Sequence, residues 1–162
     1  MPFKVFTTAL ARRSRRCFFR WLLHPRLTAI YDRWAPLESL GERGEREAER
    51  HLLRLGYRIL YRRFSDRMGE LDLIAVDGKI VVFVEVKTWQ GHLPDDPSQA
   101  VHEQKQLRMT RTALHFLRQH DLLENPSRFD VISIIWSRPD QRPELRHFVN
   151  AFEPVGKFQF HR

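Results

Sequence analysis

The chain has a single cysteine, Cys17, which excludes an intramolecular disulfide and a cysteine-built metal centre. Glycine is sparse, seven in 162 residues, and none of it forms a phosphate-cradling loop. Gly-x-Ser-x-Gly is absent, and no cysteine sits in a motif with a base, so neither common acyl-transfer signature is present. Eight histidines are scattered; His115 and His120 lie five apart, not at the four-residue spacing of a helical zinc pair. Long apolar runs are also missing. Cys17-Phe18-Phe19 and Trp21-Leu22-Leu23 are split by Arg20 and stop at His24-Pro25, far short of the ~20 residues that span a bilayer. No small-residue cleavage site follows them, so a secretory signal is not expected, although an arginine-rich, acid-poor start is shared with organellar transit peptides. A reducing, cytoplasmic setting suits one cysteine.

Negative charge is the scarcer sign. Lys and Arg number 28 against 20 Asp and Glu, a net +8, with a sequence pI near 10.4. Such a balance points to a polyanionic partner, nucleic acid or an anionic membrane surface. The excess is uneven. Residues 1–40 hold eight basic residues against Asp32 and Glu38, a net +6; residues 41–162 hold 20 against 18, a net +2. A basic arm over 1–37 therefore precedes a nearly balanced domain over 38–152, with a tail over 153–162. Phe3, Phe6 and Leu10, then Phe18, Trp21 and Leu22, suggest a helical extension broken near Pro25. That arm suits packing on the domain, contact with DNA backbone, or contact with a membrane surface.

Apolar residues make up 42% of the chain, enough for one core. Ser39-Leu40-Gly41-Glu42 has capping-box spacing and predicts a helix from about Leu40 to Leu55, stopped by Gly56. Gly41, Gly44/Glu45, Ala48, Leu52 and Leu55 share one stripe of it. Strands are expected at 57–64, 70–76 and 79–88, the last two joined by an Asp77-Gly78 turn. Asp96-Pro97 suits a helix start, with helix from about Ser98 to His120 burying Leu107, Ala113, Leu114 and Leu117. A strand from Arg128 to Trp136 and an edge strand at 144–149 complete one α/β domain of order α-β-β-β-α-β, a mixed sheet flanked by helices.

Chemistry concentrates in Gly69-Glu70-Leu71-Asp72-Leu73-Ile74-Ala75 and Phe83-Val84-Glu85-Val86-Lys87. An Asp77-Gly78 turn sets Val76 opposite Lys79, which makes Asp72 and Glu85 diagonal neighbours, within ~7–8 Å, on a face shared with Glu70 and Lys87. Ile74, Val76, Val81 and Phe83 fill the rest of that face; Leu71, Leu73, Ala75, Ile80, Val82, Val84 and Val86 form the other. With both faces apolar, the hairpin is expected to be central. Three carboxylates converging at its end repel one another unless a cation compensates. Mg²⁺ or Mn²⁺ on Asp72, Glu85 and the Val86 carbonyl would do so, and such an ion serves phosphodiester hydrolysis. Lys87 would balance charge at the same phosphate, and Glu45, on the helix stripe, would position metal or water. The plainer alternative makes these residues solvated strand ends paired as salt bridges. Arg108, Arg111 and Arg118 with Lys105 form a basic helix face for phosphates or solvent, and Trp89 and His92 suit stacking on an unpaired base or loop packing.

Gly44-Glu45-x-x-Ala48, Gly56-Tyr57, the two strand motifs above and Arg128-Phe129-Asp130-Val131 together resemble the YraN-like family of small bacterial proteins, over about residues 38–150. That family is similar to Holliday junction resolvases and the wider PD-(D/E)xK nucleases. The resemblance implies a restriction-endonuclease-like fold, with Asp72, Glu85 and Lys87 as catalytic core and Glu45 as helix carboxylate. Lys105 and Gln104 fall where such nucleases often carry further active-site residues. It also implies a DNA substrate, and a homodimer if two strands of a junction are cut. The pattern departs at Arg63-Phe64-Ser65, where an Asn and then an Arg are usual, and at Trp89, where a basic residue is common. A non-catalytic nucleic-acid-binding protein, or an interaction module built on the basic arm, stands as the alternative function.

Overall fold

The computed structural model describes residues 38–91, 101–138 and 141–156. The expectations for the basic arm, for His92 and for the Asp96-Pro97 helix start lie outside these residues.

Helix α1 spans Leu40–Arg54. Its capping box forms as expected: the Ser39 hydroxyl accepts from the Glu42 N–H, and Glu42 accepts from the Ser39 N–H at 2.9 Å. Leu55 caps the other end, followed by Gly56 at φ +89°, a backbone region that L side chains rarely adopt. Strands β1 (Arg58–Asp66), β2 (Gly69–Asp77) and β3 (Ile80–Gln90) follow, then α2 (Glu103–Gln119), β4 (Ser127–Trp136) and β5 (Glu144–Phe152). The sheet order is β1-β2-β3-β4-β5; β3 and β4 run parallel, connected through α2, and the other neighbours are antiparallel.

Each face of the sheet carries a helix and a cluster of buried side chains, which is why the central hairpin reads apolar on both sides. On one face Ala48 and Leu52 of α1 pack with Leu73, Ala75, Val82, Val84, Ile132, Ile134 and Trp136. On the other, Met109, Ala113, Phe116 and Leu117 of α2 pack with Leu71, Ile74, Val81, Phe83, Phe129 and Val131.

Three expectations are corrected. Helix α2 begins at Glu103, after His102, and not at about Ser98; Leu107 is only half-buried, while Met109 and Phe116 take the interior positions. On α1, Gly41 and Leu55 are exposed, so the buried stripe reduces to Gly44, Ala48 and Leu52. The hairpin turn is Gly78-Lys79 rather than Asp77-Gly78: Asp77 pairs with Ile80, Val76 with Val81 and Leu73 with Val84. Glycine at φ +60° takes the first central position, as in a type II′ turn. The shift is two residues along the partner, so β3 keeps its expected faces.

β2 does not keep strict alternation. Leu71 joins the α2-side cluster and Leu73 the α1-side cluster, although regular pleating gives residues two apart one face. The paired ladder between β2 and β3 ends at Leu73–Val84, one residue short of Asp72. On neighbouring β1, Arg63 has φ +50°, uncommon for a side-chain-bearing residue, and it separates Arg62, which faces α1, from Phe64, which faces α2. Both strands thus switch faces at one level of the sheet, and Asp72 sits at that level.

Candidate active site

Where the β2–β3 ladder opens, the Asp72 carboxylate takes over a strand's role. Its Oδ2 accepts the Val86 N–H at 2.7 Å, a bond that continued β pairing would have given to a carbonyl. Glu85 follows on the buried, α2-facing side of β3, at 3% exposure. Lys87, two residues on and so on the same face, places Nζ 2.9 Å from Glu85 Oε1. Lys105, in the first turns of α2, places its Nζ 3.2 Å from Glu85 Oε2. The site thus joins two carboxylates and two ammonium groups from β2, β3 and α2.

The expected convergence of three carboxylates is corrected. Glu70 is largely exposed and reaches only to 3.9 Å from Lys105. Gln104 is likewise exposed. Glu45 lies on α1, across the sheet from Lys105, and Arg63 holds it: Arg63 Nε donates to Glu45 Oε2 at 2.5 Å, and Arg63 Nη1 to Glu42 Oε1 at 3.0 Å. The unusual backbone of Arg63 thereby serves a contact that periodicity alone did not reveal. The only signal for it was an arginine a few residues ahead of the Gly69-Glu70 motif. Glu45 still acts on Asp72 through space, more weakly than the groups nearer to that carboxylate.

Gly44 sets how closely α1 approaches the site. A Cβ at this position would stand 1.9 Å from Thr88 Oγ1 and 3.1 Å from Thr88 Cβ. Only glycine lets the helix backbone touch β3 one residue beyond Lys87.

Electrostatics mark Asp72 as the strained member. Burial, then the neighbouring Glu85 charge, push its pKa from 3.8 up to about 7. The Val86 N–H and Lys105 pull the other way without cancelling the effect. Glu85 Oε2 is buried and lacks a hydrogen-bond partner, because Lys105 lies within ion-pair distance but off hydrogen-bond geometry. Glu85 Oε2, buried without a hydrogen bond, and the neighbouring Asp72 carboxylate are hard oxygen donors of the kind that fit a divalent cation. Asp72, Glu85 and the Val86 carbonyl are the groups that would hold it. Among the described residues no set of three or more His, Cys, Asp or Glu is arranged around one ion, so the protein's side-chain share would be two carboxylates.

A cleft of about 230 Å³ opens beside the cluster, lined by Ser65, Asp66, Gly69, Glu70, Lys105 and Arg108. His115 Nδ1 and Asp66 Oδ2, 2.7 Å apart, fasten the β1–β2 turn to α2 along its edge. Arg111 and Arg118 are exposed on α2, and Trp89 is half-buried near the end of β3.

A second polar cluster, on the α1-facing side of the sheet, accounts for Arg128-Phe129-Asp130. Asp130 is fully buried and accepts from Arg128 Nε (3.0 Å) and from the Asn150 N–H (2.9 Å), with His147 Nε2 at 3.0 Å. Burial alone would raise its pKa, but His147, Arg128 and the Asn150 N–H outweigh burial and lower it. Arg128 also bridges to Asp77 and to the Tyr57 hydroxyl. This cluster ties β4 to β5 and to the β2–β3 turn.

A family model described as "Uncharacterised protein family UPF0102" matches residues 44–134. A UPF0102 protein of Rhodopirellula baltica is 42% identical over 126 residues, covering 76% of this chain and 75% of the relative. One from Geobacter metallireducens is 45% identical over 116 residues, covering 72% and 93%, and one from Geobacter sulfurreducens 46% over 114 residues, covering 70% and 88%. The matched stretch contains Glu45, Asp72, Glu85, Lys87 and Lys105, and the chain belongs to the UPF0102, or YraN-like, family, which is restriction-endonuclease-like.

Proposed function

We propose that the protein is a Mg²⁺- or Mn²⁺-dependent endonuclease that hydrolyses phosphodiester bonds in DNA, including branched or otherwise structured DNA. The supporting observation is the pairing of Asp72, raised to about 7, with the unsatisfied Glu85 oxygen, flanked by Lys87 and Lys105. When bound, a divalent cation supplies Lewis-acid stabilisation of charge developing on the phosphate. The chain's own residues do the rest. Asp72 and Glu85, with the Val86 carbonyl, would hold the cation. Lys87, 2.9 Å from Glu85, is placed to donate hydrogen bonds to the attacking water and to a phosphate oxygen. Lys105 adds a second positive charge from α2. Glu45, steadied by Arg63, helps orient water. Water oxygen bonds to phosphorus as the bond to one sugar oxygen breaks; the water gives up one proton to solvent, and the departing sugar oxygen takes one up from solvent.

Purified protein is expected to nick DNA with Mg²⁺ or Mn²⁺ in an assay across linear, single-stranded, flapped and four-way-junction substrates. Asp72→Ala and Glu85→Ala each abolish it; cleavage surviving both substitutions refutes the site. A homodimer, seen by sedimentation, would provide the two sites that junction resolution requires. Lys105, already 3.2 Å from Glu85, favours one second reading, a binding module in which lysine stands in for metal. It requires metal-independent DNA binding and no cleavage.

A further inference from the structure

The near-neutral balance of residues 41–162 conceals a local excess of positive charge. A groove of about 690 Å³ runs along α1, opposite the end of β4 and the segment leading into β5. Its lining includes Arg43, Arg46, Arg50, Arg54 and Arg142 over Trp136, with Glu47 as the single lining carboxylate among the described residues. We infer that this groove holds the phosphate backbone of a nucleic-acid strand on the α1 side of the domain that carries Asp72 and Glu85.

The four helical arginines recur at spacings of three or four, which places them along one side of α1. From Arg43 to Arg54 they extend about 16 Å, long enough to meet two or three successive phosphates of one strand. Their guanidinium groups are held in place beforehand. Arg43 lies over the Trp136 ring, 4.8 Å from its centroid. Arg54 Nε donates to the Arg50 carbonyl at 3.2 Å, and Arg46 and Arg50 rest against Glu38 and Glu47. Forks fixed in this way lose less entropy on meeting a phosphate. The groove lies on the α1 face, where Trp136 pairs with Gln90, three residues beyond Lys87 on β3; Glu85 and Lys87 themselves face α2.

A polypeptide partner fits less well. Protein interfaces centre on exposed aromatic or aliphatic anchors. Here the tryptophan is 3% exposed beneath its arginine, and among the described residues none of the exposed large hydrophobic side chains, Leu53 through Val149, lines the groove. What remains accessible is a row of forked cations, suited to phosphates without base readout.

The inference rests on the nuclease reading for the choice of DNA, and its test separates the two. The full chain is titrated onto labelled duplex DNA in EDTA, by anisotropy, over a range of salt. Arg50→Gln/Arg142→Gln is expected to weaken binding roughly tenfold and to flatten the slope of log affinity against log salt by about 1.8. Arg50→Lys/Arg142→Lys keeps the slope, and unchanged circular dichroism shows that each variant folds. Arg111→Gln/Arg118→Gln, the same charge removed from α2, leaves the affinity within about twofold. The assignment is overturned if the groove variant binds like the parent, if the α2 variant is the one that loses affinity, or if polyglutamate competes as well as DNA. A parent that cleaves DNA while the groove variant binds unchanged refutes the groove alone. A parent that never cleaves while the groove variant loses binding refutes the nuclease alone.

Discussion

Substituting Gly44 by alanine is expected to destabilise the domain, against the usual effect of that change in a helix. In an exposed helix Gly→Ala stabilises by about 1 kcal/mol, because glycine loses more backbone entropy and alanine has the better propensity. At Gly44 the new Cβ would stand 1.9 Å from Thr88 Oγ1, 3.1 Å from Thr88 Cβ and 3.2 Å from Thr88 Cγ2. Rotating Thr88 about χ1 does not relieve this, since its Cβ is itself too close and its branched side chain is stiff. Overpacking at a tight contact costs about 3 kcal/mol, the upper part of its usual range. The net is a loss of about 2 kcal/mol, a fall of roughly 4–8 °C in Tm for a chain of this size. Gly41 provides the internal control. A Cβ there would meet only Ser39 Oγ, at 4.0 Å, so Gly41→Ala should be neutral or stabilising by up to about 1 kcal/mol. Thr88→Ala, which removes Oγ1 and Cγ2 but keeps the Cβ, should recover part of the loss in the Gly44→Ala background, a coupling that a double-mutant cycle measures in urea denaturation. Gly44→Ala as stable as its parent, or a Gly44→Ala loss that Thr88→Ala leaves intact, would refute the claim that this glycine exists to bring α1 against β3.

Asp72 makes stability depend on pH. Its folded-state pKa, about 7, exceeds the ordinary 3.8, so between those values the folded protein retains a proton that the unfolded chain has lost. Stability of the metal-free protein should therefore fall as pH rises through that window, and Asp72→Asn should flatten the fall and stabilise at pH 8, by a few kcal/mol at most, in urea denaturation. Mn²⁺ should raise Tm at pH 8 in the parent and not in Asp72→Ala, as scanning fluorimetry reads directly. Asp130→Ala leaves Arg128 and His147 without their buried partner and should cost about 3–5 kcal/mol in the same denaturation assay. Arg63→Asn tolerates the positive φ and removes an exposed pair, so stability should change by less than about 1 kcal/mol while the nicking rate drops through a looser Glu45.

Much of the architecture was legible in local residue patterns. The capping box and Gly56 bounded α1, and alternation in 70–88 marked a hairpin apolar on both faces, so it had to be central. Asp72, Glu85 and Lys87 could be singled out because charges at the end of such a hairpin require compensation. Lys105 entered through family resemblance, since a residue on a later helix has no sequence spacing to tie it to β3. Other features were out of reach of pattern. The turn moved from Asp77-Gly78 to Gly78-Lys79 because both dipeptides contain the same permissive glycine, and the register was decided by which pairs pack across the sheet. Leu71 changed faces because β1 and β2 depart from regular pleating together near Arg63 and Asp72, a property of two paired strands.

The sequence by itself determined the element order, the two apolar faces of the hairpin and the identity of the acidic and basic groups at its end. Each of these follows from periodicity or from chemistry carried by residues close together in the chain. Tertiary structure decided that Glu70 stays in solvent, that Arg63 holds Glu45, and that Lys105 closes on Glu85. It also decided that a domain of nearly balanced charge gathers five arginines in one groove. Those outcomes depend on distances between residues far apart in sequence, which the packing of α1 and α2 on opposite faces of the sheet sets.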